Sequence, residues 1–323
     1  MRRTITVSAV TVAWTLVLLL GPLLATLAAV RDVATNRRWI TLRFLVFGTI
    51  FLSCELGGLL GALVVWVVTL GGRLEALAFR LNFGLQKLWA GCLFEGLVRV
   101  FGMKVQITGT EILHKSPVIV FSRHVSSADT IIPQVLIARP HNIHLRYVIK
   151  KELLWDPCLD IVGGRLRNCF VDRSAGEEAV AQVRSLLEGL LPQEGVVIFP
   201  EGTRFTRQRQ ERIIARFREG GNEAAARRAE SLRSVLPPRR AGVLALLADN
   251  PGADVVFLAH TGLETVQNIE RLKSGSLVGA TLELECWRVP FEAIPQGDQE
   301  RMEWIWEHWE RMDRWVTERN NPA

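Results

Sequence analysis

The sequence contains few cysteines for its length, and the five that it has are scattered along 323 residues. Their number is odd, and no two of them have the spacing of ligands in a structural metal site. The sequence therefore predicts neither a disulfide framework nor a bound metal, which excludes the class of small secreted domains held by disulfides. A reducing, cytoplasmic setting follows. The cysteines are Cys54, Cys92, Cys158, Cys169 and Cys286.

The chain also has no internal repeat, no long low-complexity tract and no general excess of charge of one sign. The net charge of +6 comes from residues 204–240, which contain eleven arginines and four glutamates. The rest of the chain holds 28 of the 39 basic and 29 of the 33 acidic side chains, and is close to neutral. A generally basic nucleic-acid-binding protein is excluded, and we expect no nucleic-acid partner.

Apolar residues are abundant instead, and two long runs of them lie near the N-terminus. Hydrophobic residues make up 49% of the chain, and its mean hydropathy is +0.18. Residues 4–30 and 42–70 are each long enough to cross a bilayer. Residues 1–72 are therefore predicted to form a membrane anchor of two hydrophobic helices, either spanning or re-entrant. A cleaved signal peptide is the alternative, but the first run is too long for a usual signal core and a second run follows.

Charged residues near these runs indicate the orientation. Arg2 and Arg3 favour a cytoplasmic N-terminus, although the link between the two runs is also basic. Two spans would return the chain to the cytoplasm. We therefore expect an integral membrane protein with its remaining domain on the cytoplasmic side, at the inner membrane in a bacterium. Glu55 lies within the second run, where an ionisable residue is either functional or paired with a polar neighbour.

Residues 73–101 have the periodicity of an amphipathic helix, with Arg73, Arg80 and Lys87 off the apolar stripe. We expect an interfacial helix at the membrane surface, and an ordinary helix that faces the core of the next domain is equally compatible with the pattern. The apolar stripe comprises Leu74, Leu77, Ala78, Leu81, Leu85, Leu88, Trp89 and Cys92.

Short strand-like runs alternate with helical segments over residues 102–298. This order predicts an α/β fold with a largely parallel sheet flanked by helices. Residues 205–240 are an arginine-rich helical insertion, which is either a solvated face or a surface that contacts a membrane or cofactor phosphates. Residues 299–323 form a tryptophan-rich helix, whose excess tryptophans lie at the membrane interface or pack against the insertion.

A histidine and an aspartate, His124 and Asp129, follow the buried strand at 117–121. On a regular helix a spacing of five places side chains about 140° apart, so contact requires His124 in a turn and Asp129 at the start of the following helix. A carboxylate on one imidazole nitrogen fixes the tautomer and raises the basicity of the other, which can then accept a proton from a hydroxyl. The alternative is a simple helix cap, with Ser126 and Asp129 as its two members.

A second stretch, residues 199–204, follows another buried strand and reads F-P-E-G-T-R. A glycine at a strand end lets backbone N–H groups approach an anion, and an arginine fork suits phosphate. With H-x-x-x-x-D at 124–129, this stretch resembles the glycerolipid (1-acylglycerol-3-phosphate) acyltransferase family over roughly residues 100–265. The six-residue match is much more specific than H-x-x-x-x-D.

The resemblance implies transfer of a fatty acyl group from acyl-CoA or an acyl carrier protein to the free hydroxyl of a lysophospholipid at the bilayer. His124 and Asp129 would be the catalytic pair, with direct attack and no acyl-enzyme. The acceptor implied first is lysophosphatidic acid, which gives phosphatidic acid. No metal or tightly bound cofactor is implied, because the thioester is a co-substrate.

The resemblance also implies a substrate-binding set at the strand ends. Arg204 is the first candidate for the acceptor phosphate, and Glu201 would orient it or meet an acceptor hydroxyl. Because parallel strands present their carboxyl ends along one edge, we expect the basic residues to converge there with His124. The expected substrate-binding residues are Glu201, Gly202, Thr203, Arg204, Arg173 and Lys150.

Two positions depart from the family pattern. Arg123 precedes the histidine where a neutral residue is common, and Thr130 follows the aspartate where proline is common; both could change acceptor choice. Three other functions remain open: acylation of lysophosphatidylinositol or lysocardiolipin, lipid or thioester hydrolysis by the same histidine, and a membrane-tethered anion-binding scaffold.

Overall fold

A computed structural model describes residues 1–113, 117–172, 175–267 and 269–320. Its strands form one seven-stranded sheet in the order β1-β7-β6-β2-β5-β3-β4. Strands β6, β2, β5, β3 and β4 run parallel to one another, β7 runs antiparallel to β6, and β1 runs parallel to β7. The strands are β1 (Lys104–Thr108), β2 (Val118–Ser122), β3 (His144–Lys150), β4 (Cys169–Val171), β5 (Glu194–Ile198), β6 (Asp254–Thr261) and β7 (Thr281–Val289).

Helices precede this sheet and cover both of its faces. This arrangement confirms the predicted α/β fold with a largely parallel sheet. The α-helices are α1 (Arg2–Ala34), α2 (Ile40–Val68), α3 (Glu75–Phe101), α4 (Arg139–His141), α5 (Pro157–Ile161), α6 (Glu177–Ser185), α7 (Arg207–Glu219), α8 (Glu223–Ser231), α9 (Arg240–Ala248), α10 (Ile269–Lys273) and α11 (Asp298–Asn320).

The two apolar runs form α1 and α2, which pack together as a helix hairpin. Both are long and apolar enough to cross a membrane, with mean hydropathies of 2.1 and 2.0. Asp32 closes the hairpin, because its carboxylate accepts hydrogen bonds from the N–H groups of Thr41 and Leu42 at the start of α2. The apolar side chains of α1 remain exposed; Leu19, for example, is 73% exposed. Such a surface is suited to lipid, so the hairpin favours membrane association.

Helix α2 is also fixed to the α/β domain. The carboxylate of Glu55 accepts a hydrogen bond from Trp89 Nε1 at 3.0 Å and another from the N–H of Cys158 at 3.3 Å. Arg165 donates to the carbonyl oxygen of Ala62 at 2.7 Å. Glu55 is therefore a paired polar group that joins α2 to α3 and α5, which is the second of the two possibilities open from the sequence.

Helix α3 has the predicted position in the chain, and the face that it buries differs from the predicted apolar stripe. The buried face carries Phe83, Leu93, Leu97 and Phe101, whereas Leu88 on the expected stripe is 61% exposed. Helix α3 thus packs between α2 and the α/β domain along one side. The placement of that stripe at a membrane surface stays a prediction.

The insertion folds as α7 and α8, which are separated by a break that contains Gly220 and Gly221. Helix α11 covers the sheet with Ile305, Trp309, Met312 and Val316, all fully buried. Trp306 lies under the guanidinium of Arg228 on α8, at 4.8 Å from the ring centroid. At least one of the excess tryptophans therefore packs against the insertion.

Candidate active site

Strands β2 and β5 are neighbours at the centre of the sheet, and both are buried along their whole length. Because they are parallel, the turns that follow them meet at one edge. The N–H of Phe205 donates to the carbonyl oxygen of His124 at 2.9 Å. The backbone of Glu201 and that of His124 are thus in adjoining turns, so the two motifs form one site.

His124 and Asp129 meet as the sequence predicts. His124 Nδ1 lies 3.3 Å from Asp129 Oδ2, and the Asp129 side chain is fully buried while that of His124 is 13% exposed. A 3₁₀ turn, Ser127–Ile131, makes this contact possible because it is tighter than an α-helix. The Nδ1 contact leaves His124 Nε2 as the nitrogen for a substrate proton.

The same turn is a capping box, so the two alternatives open from the sequence coexist. Ser126 Oγ accepts from the N–H of Ala128, and the Asp129 carboxylate accepts from the N–H of Ser126 at 2.6 Å. Burial alone would raise the pKa of Asp129, but the nearby His260 and hydrogen bonds from His124 and Ser126 lower it below its usual value. An ionised Asp129 can stabilise a proton on His124.

Arg123 does not face the substrate side, which corrects the expectation that it affects acceptor choice. Its side chain is 1% exposed, donates to the carbonyl oxygens of Ser234 and His260, and pairs with Glu264 at 2.5 Å. Successive side chains of an extended segment point to opposite sides, so Arg123 faces inward when His124 faces the site. Arg123 supports the active-site turn from behind.

His260 was not among the residues selected from the sequence. It lies near the end of β6, is fully buried, and places Nε2 3.7 Å from Asp129 Oδ2 and 3.1 Å from the carbonyl oxygen of Arg123. Burial lowers its pKa, so it is neutral at neutral pH. Its position at the carboxyl end of a parallel strand next to β2 was the available signal.

Glu201 also occupies a different position from the one expected. It is fully buried, its Oε1 accepts from the N–H of His124 at 2.7 Å, and its Oε2 accepts from the N–H of Leu236 at 2.9 Å. Both oxygens are engaged with the backbone, so Glu201 joins the two turns and does not orient Arg204 through a hydrogen bond. Its contact with an acceptor hydroxyl stays a prediction. Burial raises its pKa to about 8, and the negative charge of Asp129 adds to this.

Arg204 reaches the H-x-x-x-x-D turn, where its Nη1 donates to Ser127 Oγ at 3.2 Å. Gly202 has φ +64°, a left-handed conformation that favours glycine, and Thr203 is half-buried beside it. These three residues lie in the turn beside Ser127, and binding of the substrate phosphate there stays a prediction.

Residues 104–239 match the protein-family model described as Acyltransferase. The α/β domain thus resembles an acyltransferase domain over these residues. The chain is similar to the 1-acyl-sn-glycerol-3-phosphate acyltransferase epsilon of Mus musculus, at 31% identity over 123 residues, 35% of this chain and 33% of that protein. It is also similar to the 1-acyl-sn-glycerol-3-phosphate acyltransferase of Saccharomyces cerevisiae, at 28% identity over 120 residues, 37% of this chain and 38% of that protein. The matches thus span only about a third of the length of these curated relatives.

The fold of the chain is similar to a solved structure. The crystal structure of the 1-acyl-sn-glycerophosphate (LPA) acyltransferase PlsC from Thermotoga maritima superposes with a TM-score of 0.52 and 16% sequence identity. The superposition covers 84% of this chain and 99% of that one. At this identity the likeness concerns the fold alone.

Two predicted site residues of the α/β domain remain, Lys150 and Arg173. Lys150 ends β3, on the same edge as His124, but its Nζ pairs with Glu152 at 2.9 Å and its side chain is 46% exposed. The structure therefore shows no contact between Lys150 and the His124 turn. Arg173 lies outside the described residues, just after β4.

Three serines lie near His124, and two of them donate to neighbouring groups. The hydroxyl of Ser126 donates to Asp129 Oδ1, and that of Ser122 donates to the carbonyl oxygen of Arg123 at 3.3 Å. The third, Ser127, accepts from Arg204 Nη1. The contact of His124 with Asp129 favours a base that activates a bound hydroxyl. Within the described residues, no group of three or more His, Cys, Asp or Glu side chains could hold a metal ion.

Proposed function

We propose that the chain transfers a fatty acyl group from a thioester donor, acyl-CoA or an acyl carrier protein, to the free hydroxyl of lysophosphatidic acid, producing phosphatidic acid. The observation that carries the proposal is the contact of His124 Nδ1 with the buried Asp129 at 3.3 Å, beside a turn whose arginine faces the same side. The relatives named above support this acceptor.

His124 acts as general base in this reaction. Its Nε2 takes the hydroxyl proton as the oxygen attacks the thioester carbonyl, and the ionised Asp129 stabilises the resulting imidazolium. The tetrahedral intermediate collapses, the C–S bond breaks, and His124 returns the proton to the thiolate. The products are an ester and a free thiol, and no acyl-enzyme is formed.

Arg204 binds the acceptor phosphate by charge-assisted hydrogen bonds, and its contact with Ser127 orients it towards the His124 turn. The exposed apolar surface of α1 holds the protein in the bilayer, from which the acceptor enters laterally. The acyltransferase domain lies on the cytoplasmic side, at the inner membrane if the source is bacterial. The reaction requires no metal or bound cofactor.

The test is a lysophospholipid headgroup panel, assayed on the purified full-length protein with one acyl-CoA. We expect lysophosphatidic acid to be acylated fastest, and loss of turnover in His124→Ala. Preference for lysophosphatidylinositol or lysocardiolipin would replace the proposed acceptor. Release of free fatty acid at the same rate without any acceptor would instead indicate a hydrolase.

A further inference from the structure

Helix α7 presents a row of arginines beside the P-E-G-T-R turn. Arg209, Arg212 and Arg216 are three and four residues apart, so they lie on one face of the helix. Arg209 begins the row at the turn, where its Nη1 donates to the carbonyl oxygen of Arg204 at 2.8 Å. The row therefore extends outward from the residue that we assign to the acceptor phosphate.

Arg239, from the segment between α8 and α9, lies against the same turn. Its N–H donates to the carbonyl oxygen of Pro200 at 2.8 Å. A Cβ atom at Gly202 would lie 2.6 Å from both Cδ and Nε of Arg239, so any other residue there would displace this side chain. Because the φ of Gly202 is also positive, the turn is shaped to receive the Arg239 side chain.

These arginines differ from Arg218 and Arg228 of the same insertion, which have acidic partners. Arg218 pairs with Glu223 and Glu230, and Arg228 pairs with Glu303 and Glu310. In the part of the chain that the structure describes, no carboxylate forms an ion pair with Arg212, Arg216 or Arg239. Burial and the positive charge of Arg216 lower the pKa of Arg239. An anion bound between them would remove this repulsion.

We propose that Arg239, Arg216 and Arg212 bind the nucleotide phosphates of an acyl-CoA donor. This proposal rests on the proposed acyl-transfer function, and it selects CoA over a carrier protein. Arg204 already supplies a guanidinium for the phosphate monoester of the acceptor, so three further unpaired arginines exceed what that group needs. The diphosphate and 3′-phosphate of CoA supply several additional negative charges at separated positions, which match a row of guanidinium groups.

The direct test measures binding of adenosine 3′,5′-bisphosphate to the purified full-length protein in a neutral detergent, without acceptor or acyl chain. Arg239→Gln and Arg216→Gln should each raise the Kd about tenfold or more, since each removes a charge-assisted hydrogen bond. Arg218→Gln is the matched control, because it removes the same charge from α7 at a residue paired with glutamates. Its Kd should stay close to that of the wild type.

The kinetic test compares two donors with the same acyl group. For Arg239→Gln, the KM for acyl-CoA should rise about ten- to hundred-fold, while the KM for the acyl-pantetheine thioester, which lacks the nucleotide, should not change. The KM for lysophosphatidic acid should also stay constant. If Arg239→Gln fails to fold, Arg216→Gln at an exposed helix position gives the same comparison.

Four results would overturn the proposal. They are an unchanged acyl-CoA KM, a rise confined to the acceptor KM, a rise confined to an acyl carrier protein donor, and a loss confined to binding of anionic phospholipid vesicles. The proposed function fails separately: absent acyl transfer with Arg239-dependent bisphosphate binding would remove the function and keep this site. Normal acyl transfer with no effect of Arg239→Gln on either assay would keep the proposed function and remove this site.

Discussion

The backbone N–H of His124 donates a hydrogen bond to the side chain of Glu201 at 2.7 Å. The histidine of one motif is therefore held by the glutamate of the other, although the two residues are far apart in the chain. Since Glu201 also accepts from the N–H of Leu236, it fixes the segment after α8 to the His124 turn. The motif glutamate thus positions this turn.

This role leads to a prediction on pH and stability. The pKa of Glu201 is raised by burial from 4.5 to about 8, so the folded protein holds its proton more tightly than the unfolded chain. Its contribution to the free energy of unfolding is full below pH about 4.5 and falls as the pH rises to about 8. Glu201→Gln cannot ionise, so the wild type should lose stability relative to this variant over that interval.

Thermal unfolding of both proteins at pH 5.5 and pH 8.5 measures this difference. The Tm of the wild type minus that of Glu201→Gln should be more positive at the lower pH. An equal difference at the two pH values would mean that Glu201 is already ionised in the folded protein.

His124→Ala should lose on the order of 10²–10⁴ in turnover, the usual contribution of a positioned general base. Asp129→Asn should also be severe, because it removes the charge that stabilises the imidazolium while keeping the shape of the side chain. The measurement is kcat with lysophosphatidic acid and acyl-CoA on protein whose Tm matches the wild type. Turnover of folded His124→Ala near the wild-type rate would exclude the mechanism.

Arg204→Ala should raise the KM for a phosphate-bearing acceptor about ten- to hundred-fold, with little change in the KM for acyl-CoA. Arg204→Lys should recover only part of the affinity, because a point charge lacks two-pronged geometry. Both constants are measured on each variant. A donor-only effect would assign Arg204 to the thioester substrate, together with Arg239.

Arg123→Ala should destabilise the protein by about 3–5 kcal/mol, because it leaves two buried carbonyl oxygens without their donor and removes the cation that pairs with Glu264. Arg184→Ala is the control: its ion pair with Asp249 is exposed, so its loss should cost less than about 1 kcal/mol. Denaturant unfolding of both variants gives the comparison. Equal effects would mean that Arg123 is less important to the turn than its burial indicates.

The full-length protein should remain in membranes after a carbonate wash, because α1 exposes a continuous apolar surface. Leu19→Asp places a charge in the middle of that surface and should weaken retention, at about 2.5–3.5 kcal/mol for a bilayer-centre aspartate. Leu191→Asp, at an exposed leucine of the α/β domain, is the matched control and should not weaken membrane retention. Release of the unmodified protein by the wash would contradict membrane anchoring.

Sequence reasoning reached the parts of the site that lie close together in the chain. His124, Asp129 and the turn at 199–204 follow buried strands, and strand order predicts that such turns share an edge. The hydrogen-bond partners of the Glu201 side chain were not predictable in the same way, because His124 and Leu236 come from distant segments. His260 was missed for the same reason.

Strand β7 and the buried face of α3 were not predicted, although the sequence contains a signal for the strand. In β7 the buried residues Leu282, Leu284 and Cys286 alternate with Glu283 and Glu285, the pattern of a strand with one covered face. On α3 the leucines gave a clear stripe, but the face with phenylalanines is the buried one. The side that a helix buries depends on which layers flank it, and periodicity alone does not contain this information.

The pairing of β2 has a consequence for how the protein is made. Val120 on β2 lies opposite Val197 on β5 and Val256 on β6, so the strand that leads to His124 acquires its neighbours from segments synthesised much later. Non-local pairings of this kind form slowly, because a long loop must close first. The two apolar helices leave the ribosome long before residue 261. The catalytic turn is therefore completed late, by a chain whose N-terminal hairpin has already been synthesised.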